Sequence, residues 1–138
     1  MVTRLNPYLS FRGTAREAME FYRSVLGGEL QISTFRDLGM PVPAGEEDLV
    51  MHSVLESPDG VVLMGADTPS SMEHTPGDSV SVSLSGDDTA ELAGYWNSLA
   101  EGATVTAPFE VAPWGDLFGM LVDRFGVAWM VNSGAPTD

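Results

Sequence analysis

Two kinds of hydrophobic pattern follow each other along the chain in a fixed order, and that order occurs twice. Alternating apolar and polar residues predict β-strands, whereas apolar positions three and four residues apart predict one face of a helix. In the first half the patterns predict a helix over residues 15–26 and strands over residues 6–11, 30–36, 50–57 and 61–66. In the second half they predict a helix that ends near residue 99 and strands over residues 79–85, 104–111, 117–123 and 127–132.

The ends of these elements carry capping and turn residues. Thr14 precedes the first helix and Glu17 follows three positions later, a spacing that predicts a capping box. Asp87 or Asp88 is predicted to cap the second helix. The sequence from Pro58 to Gly60, between two strand patterns, predicts the tight turn of a β-hairpin.

The two halves also match each other residue by residue. Residues 8–26 align with residues 81–99 after a shift of 73 positions, and residues 53–64 align with residues 119–130 after a shift of 66. Glycines and apolar residues fall on equivalent positions in the same order, so the chain is interpreted as a duplication. We therefore predict an α+β fold built from two tandem βαβββ units.

A single domain with an internal cavity follows from this duplication. One helix covers one face of a four-stranded sheet, so the other face of each curved, mixed sheet is left to line a shared cavity, which is a natural ligand site. The predicted domain covers residues 1–138, with unit one over about 4–66, a linker over 67–78 and unit two over about 79–132.

Strand alternation also predicts which side chains face that cavity. Tyr8 faces it in the first strand, and Ser81 faces it in the equivalent strand of the second unit, where Val80 packs beneath the helix. Met64 and Met130 occupy equivalent places in the two last strands, where both faces are apolar and alternation alone leaves their direction open.

Composition narrows the class of partner. The 138 residues include 20 acidic and 6 basic residues, for a formal charge of −14, which repels nucleic acids and anionic membranes. No apolar run is long enough to span a membrane, the N-terminus lacks a signal-peptide pattern, and there is no cysteine for a disulfide or a thiolate site. We therefore expect a cytoplasmic protein without nucleic-acid or membrane partners. An acidic surface is typical of soluble proteins, and it also favours a cationic ligand.

Several segments of the chain resemble one known superfamily. The segments are residues 7–11 (PYLSF), 18–22 (AMEFY), 26–30 (LGGEL), 51–52 (MH), 114–115 (WG), 118–119 (FG) and 123–132 (DRFGVAWMVN). They resemble the vicinal-oxygen-chelate superfamily of glyoxalase I, extradiol dioxygenases and bleomycin-resistance proteins, and within it the PhnB-like branch. The resemblance implies the glyoxalase-like fold and a homodimer.

In metal-dependent members of this superfamily, His, Gln or Glu ligands come from the first and last strands of each unit. The resemblance places these positions at Tyr8 and Ser81, or one residue earlier at Pro7 and Val80, together with Met64 and Met130. None of these is a usual ligand for a hard divalent ion, because a thioether is a soft and weak donor. We therefore expect no metal and no cofactor at this place. The comparison also implies that both methionines point into the cavity.

Three side chains are candidates for chemistry. His52 can act as a general base or polar contact, or it can be a hydrogen-bonded structural residue. The Tyr8 hydroxyl can bind or protonate a ligand, or the ring can fill space. Trp114 can form a wall of the ligand site or close the core beneath a loop. His74 is interpreted as a solvated linker residue, and Trp96 and Trp129 as core residues.

Three functions fit these observations. The first is a PhnB-like protein that binds a small organic molecule in a largely apolar cavity, with an unknown reaction, through the residues Tyr8, Ser81, Met64, Met130, Trp114 and His52. The second is a binding protein of the bleomycin-resistance type, which sequesters a drug without catalysis. The third is a metal-dependent lyase or dioxygenase with rearranged ligands.

Overall fold

A computed structural model describes residues 3–134 and divides the chain into unit 1 (Met1–Pro76) and unit 2 (Gly77–Asp138). The elements of unit 1 are, in chain order, β1 (Tyr8–Phe11), α1 (Ala15–Leu26), β2 (Glu29–Thr34), β3 (Val50–Glu56) and β4 (Val62–Asp67). Those of unit 2 are β5 (Val82–Gly86), α2 (Thr89–Leu99), β6 (Thr104–Val111), β7 (Leu117–Val122) and β8 (Ala128–Ser133). The predicted order of one strand, one helix and three strands is confirmed in both units.

The strands of unit 1 form a mixed sheet in the order β1-β4-β3-β2. β1 runs parallel to β4, and the other two pairings are antiparallel. α1 packs on one face of the sheet, where Met19 and Tyr22 are buried together with Leu55 and Leu63. Gly65 of β4 makes room for the helix, because a Cβ at this position would lie 2.9 Å from Met19 Sδ.

Unit 2 has the same topology, with the order β5-β8-β7-β6 and a parallel β5–β8 pair. Trp96 of α2 and Trp129 of β8 are buried, which confirms both as core residues. Trp96 lies against Gly119, where a Cβ would come within 2.8 Å of the indole, and it stacks on Phe109 with 5.5 Å between ring centroids. Val80 was predicted to pack beneath this helix, and that prediction is wrong: the residue precedes β5 and is 78% exposed.

The N-terminus of α1 is capped by a residue that is distant in sequence. Thr14 occupies the predicted N-cap position, but its side chain makes no capping hydrogen bond, so the predicted capping box is wrong. The buried carboxylate of Asp67, at the end of β4, accepts hydrogen bonds from the backbone N–H groups of Gly13 (2.8 Å), Ala15 (3.0 Å) and Val50 (3.0 Å). A single anion therefore satisfies donors of the helix N-terminus and of β3.

The N-terminus of α2 is capped locally. Of the two predicted residues, Asp88 is the cap, and its side chain accepts a hydrogen bond from the Glu91 N–H at 3.0 Å. At the end of β8, where unit 1 has Asp67, unit 2 has Ser133, whose hydroxyl lies 2.7 Å from the Thr89 hydroxyl.

The predicted fold class is confirmed, because the described residues form two four-stranded mixed sheets with two helices. The hairpin turn at Gly60 is also confirmed: its N–H donates to the Ser57 carbonyl, and the Ser57 N–H donates to the Val61 carbonyl. None of the helices within residues 3–134 has the length and apolar character that crossing a membrane requires.

Candidate functional site

The face of the unit 1 sheet opposite α1 is the first candidate surface, and it is called the open face of unit 1. The register places Tyr8 of β1, Met64 of β4, Val54 of β3 and Gln31 of β2 in one cross-strand row. Leu63, which neighbours Met64 along β4, is buried on the helix side, so Met64 points to the opposite side. The register thus gives the direction of Met64 that alternation in the sequence left open.

Tyr8 and His52 form a pair on this open face, although β4 lies between their strands. Their rings are stacked, with centroids 5.8 Å apart and an angle of 30° between the planes. The Tyr8 hydroxyl lies 3.4 Å from His52 Nδ1. Between the two strands, β4 contributes the small side chain of Ala66. Sequence reasoning proposed both residues separately, and the structure brings them together.

The protonation of the Tyr8 phenol follows from its environment. Partial burial raises the pKa of the Tyr8 phenol above its ordinary value, because the negative phenolate is poorly solvated there. The phenol is therefore a proton donor at neutral pH. A neutral imidazole with its proton on Nε2 accepts at Nδ1, whereas an imidazolium can only donate. The long hydroxyl–Nδ1 distance leaves both groups able to bond a third partner instead of each other.

The corresponding face of the unit 2 sheet, opposite α2, is the open face of unit 2. There the register places Ser83 of β5, Met130 of β8 and Met120 of β7 in one row. Ser81 precedes β5, so Ser83, and not Ser81, is the neighbour of Met130, as Tyr8 is the neighbour of Met64. Met120 was missed by sequence reasoning, although its place next to Gly119 in an alternating strand indicates its direction.

Trp114 lies in the loop between β6 and β7 and is 60% exposed. Its ring meets the Phe118 ring in a T-shaped contact, with 5.2 Å between centroids. Trp114 therefore belongs to the surface of unit 2, and the alternative of a residue that closes the core is not what the structure shows. Asp116 in the same loop accepts a hydrogen bond from Asn132 Nδ2 at 3.1 Å. Sequence reasoning did not single out Phe118, Asp116 or Asn132.

The positions at which the resemblance expects metal ligands carry tyrosine, serine and methionine in this chain. Within residues 3–134, no three or more His, Cys, Asp or Glu side chains come together in a group that could hold a metal ion. His74 lies outside the strands, in the segment between β4 and β5.

Comparison with known proteins places the chain in a family. Residues 3–132 match the family model described as 3-demethylubiquinone-9 3-methyltransferase. The protein PA1353 of Pseudomonas aeruginosa is 38% identical, with a TM-score of 0.83 over 96% of this chain and 98% of that one. YjdN of Escherichia coli K12 is 27% identical over 93% of both chains. A PhnB protein of Bacillus cereus shares the fold at 24% identity, with a TM-score of 0.76 over 96% of this chain and 100% of that one.

More distant solved domains share the fold. Solved domains of the glyoxalase/bleomycin-resistance/dioxygenase type, from Frankia and Burkholderia, match over 91% or more of the chain, with TM-scores of 0.65 and 0.59. Their identities of 15% and 14% make this a likeness of fold alone. The chain therefore belongs to the 3-demethylubiquinone-9 3-methyltransferase family.

Proposed function

We propose that this protein binds a small organic molecule on the open face of unit 1, with Tyr8 and His52 as the polar anchor. The observation that carries the proposal is the stacked Tyr8–His52 pair on a sheet face that no helix of its own unit covers. Ligand sites characteristically combine an apolar lining with a few convergent polar groups. This face has that composition, since Met64, Val54 and Ala66 lie between or beside the pair.

The chemistry of the pair defines what it can hold. Tyr8 supplies a hydroxyl donor, and His52 supplies an acceptor or a donor according to its protonation. A carbonyl or hydroxyl oxygen can therefore be held by the Tyr8 hydroxyl and His52 Nδ1, which lie 3.4 Å apart. The neighbouring thioether of Met64 is flexible and polarisable, which suits an apolar or aromatic part of the same molecule.

Within unit 2, which is considered by itself, we propose Ser81, Met130 and Trp114 as ligand-binding residues. Met130 is half-buried and points away from α2, Ser81 is exposed ahead of β5, and Trp114 is exposed in the β6–β7 loop. His52 is in addition the candidate general base and Tyr8 the candidate proton donor for any reaction of the bound molecule. No metal takes part in this proposal.

A matched pair of histidine variants tests the proposal. Neutral compounds with carbonyl or hydroxyl groups are screened by ligand-observed NMR, and each hit is titrated against wild type, His52→Gln and His74→Gln. We expect the dissociation constant of a hit to rise about fivefold in His52→Gln, because an anchoring hydrogen bond is lost. In His74→Gln it should stay within about twofold of the wild-type value. A screen without hits, or hits that both variants bind as wild type does, would refute the proposal.

Sequestration without turnover is the second candidate function, and the charge of −14 favours it for cationic compounds. NMR spectra of each hit after prolonged incubation with the protein separate the two candidates. New product signals that His52→Gln abolishes indicate catalysis, and an unchanged bound compound indicates sequestration.

The resemblance that led to the family also leads us to propose a homodimer in the cytoplasm. The absence of cysteine in the 138 residues is compatible with a reducing compartment. Sedimentation equilibrium is expected to give twice the 14.7 kDa mass of one chain, and a single-chain mass would contradict the dimer.

A further inference from the structure

An aromatic pair, exposed Trp114 and half-buried Phe118, lies at one end of the open face of unit 2. Trp114 is held in a five-residue hairpin loop, in which the Ala112 N–H donates to the Asp116 carbonyl (2.7 Å) and the Gly115 N–H donates to the Ala112 carbonyl (2.9 Å). The indole packs edge to face with Phe118 and remains 60% exposed. Exposing this much of the largest apolar side chain has a free-energy cost that a binding role would offset.

Two carboxylates border this aromatic pair. Asn132 is the cross-strand neighbour of Phe118 on β8, and its side-chain amide donates to Asp116 Oδ2 at 3.1 Å. Glu110 is the cross-strand neighbour of Phe118 on β6 and is exposed. Directly opposite residues point to the same face of a sheet. Phe118 therefore has a carboxylate on each side: Glu110 on β6, and Asp116 through Asn132 on β8.

The charge of unit 2 leaves these carboxylates without a basic neighbour in their own unit. From Gly77 onward the sequence has nine acidic residues and one basic residue, Arg124. Arg124 follows the far end of β7, where it lies 3.9 Å from Glu101, whereas Trp114 precedes the near end. The negative field at the aromatic pair is therefore not neutralised within unit 2.

We propose that Trp114 and Phe118, with Asp116 and Glu110, form a subsite for an organic ammonium group. A cation over an aromatic face is attracted by the electron density of the ring, and indole is the strongest such partner. Alkylated ammonium groups lose less hydration than inorganic ions, and they fit a surface that is half aromatic and half carboxylate. This inference rests on the proposed function, since Trp114 is part of the proposed binding surface, and it names the class of ligand.

A pair of isosteric probes tests this subsite. Choline and 3,3-dimethylbutan-1-ol have nearly the same shape, but only choline carries the positive charge. Titrations of the full-length protein, followed by the NMR shifts of the methyl protons, are expected to show choline binding about fivefold or more tightly than the alcohol. Equal affinity for the two probes, or no binding of choline, would overturn the subsite.

Three variants separate a local site from the general charge of the protein. Trp114→Leu removes the aromatic ring, and Asp116→Asn removes one charge while its amide oxygen can still accept from Asn132. Glu101→Gln removes one charge at the other end of β7. Choline affinity is expected to fall about fivefold in Trp114→Leu and about threefold in Asp116→Asn, and to stay within twofold in Glu101→Gln. Equal losses in the two charge variants, or no loss in Trp114→Leu, would overturn the proposal.

Failure of the ammonium subsite can be distinguished by experiment from failure of the proposed function. If neutral compounds bind in a manner that depends on His52 while choline does not bind, the ammonium subsite is overturned and the proposed function is kept. If neither kind of compound binds, both are overturned. Near-ultraviolet circular dichroism establishes that Trp114→Leu is folded, as expected for a side chain that is mostly exposed.

Discussion

The helices of the two units, α1 and α2, begin at equivalent places in the fold, but different residues cap their N-termini. In unit 1 the carboxylate of Asp67, from the last strand, accepts two backbone N–H groups at the start of α1 and one from Val50 in β3. In unit 2 Asp88 caps α2 locally, and Ser133, at the place of Asp67, binds only the Thr89 hydroxyl. The cap is therefore part of the tertiary structure in unit 1 and mostly part of the local sequence in unit 2.

The packing of each helix on its sheet also depends on different residues in the two units. In unit 1 the helix residue Met19 lies over Gly65 of β4, whereas in unit 2 Trp96 lies over Gly119 of β7. Each sheet thus has a glycine where its helix brings a large side chain, but the glycine is on a different strand. Close packing requires a small sheet residue where the helix brings a large side chain, but it does not determine which strand carries that small residue.

The open faces of the two units carry different polar and aromatic side chains. Unit 1 has a polar, stacked Tyr8–His52 pair, whereas the corresponding rows of unit 2 carry Met120, Met130 and Phe118. A face that packs against a helix is constrained by volume, but a face that is open is constrained only by what binds to it. This difference between the open faces is expected if the two faces bind different ligands.

The largest expected effect on the free energy of unfolding tests the comparison between the caps of α1 and α2. Asp67→Asn replaces a carboxylate that accepts three N–H groups by an amide with one acceptor oxygen, so buried donors lose their partners. We expect a loss of about 3 kcal/mol in the free energy of unfolding, against about 1 kcal/mol for Ser133→Ala in unit 2. All three tryptophans lie in unit 2, so unit 1 is followed by hydrogen exchange of the α1 amides.

Thr14→Ala is the control for this experiment. Its side chain makes no capping bond, so the free energy of unfolding should change by less than about 0.5 kcal/mol. If Thr14→Ala destabilised unit 1 as much as Asp67→Asn, the assignment of the cap to Asp67 would be wrong.

An effect of intermediate size on the free energy of unfolding tests the comparison between Gly65 and Gly119. In Gly119→Ala the new methyl group meets the Trp96 ring at 2.8 Å and the backbone of Phe109 at 2.9 Å, and neither can move far. In Gly65→Ala the nearest atom is the flexible Met19 Sδ at 2.9 Å. We expect a destabilisation of about 2–3 kcal/mol for Gly119→Ala and about 1 kcal/mol for Gly65→Ala, measured by urea denaturation. Equal losses would show that the rigidity of the helix residue does not matter.

The periodic pattern of the sequence predicted the elements well, because packing one face of a sheet against a helix favours alternation along the strands. The strand predicted over residues 104–111 has the observed bounds, and the second helix ends at Leu99 as predicted. The α1 cap was not predictable in this way, since Thr14 and Glu17 have the local spacing of a capping box, whereas the carboxylate that binds the helix lies more than 50 residues away. Local sequence indicates a helix start but not a distant partner.

The site was predictable in its parts but not in its arrangement. Tyr8, His52 and Met64 were each proposed from the sequence, but the stacking of Tyr8 on His52 depends on the register of three strands. Ser81 was aligned with Tyr8 through the better-matched helices, and the strand register instead aligns Ser83 with Tyr8. The connection from the first strand to the helix is shorter in unit 2, which shifts the strand relative to the helix.

The smallest effect sharpens the comparison of the two open faces, because Tyr8 has no titrating counterpart at Ser83. Burial raises the pKa of Tyr8, so the folded state keeps the phenol proton to higher pH than the unfolded state does. Its contribution to stability is complete below pH 10 and is lost as the pH rises through the higher folded pKa. The tyrosinate absorbance of wild type minus that of Tyr8→Phe isolates this residue from Tyr22 and Tyr95. A midpoint above 10 is expected, and a midpoint at or below 10 would show that the open face of unit 1 is fully solvated around the phenol.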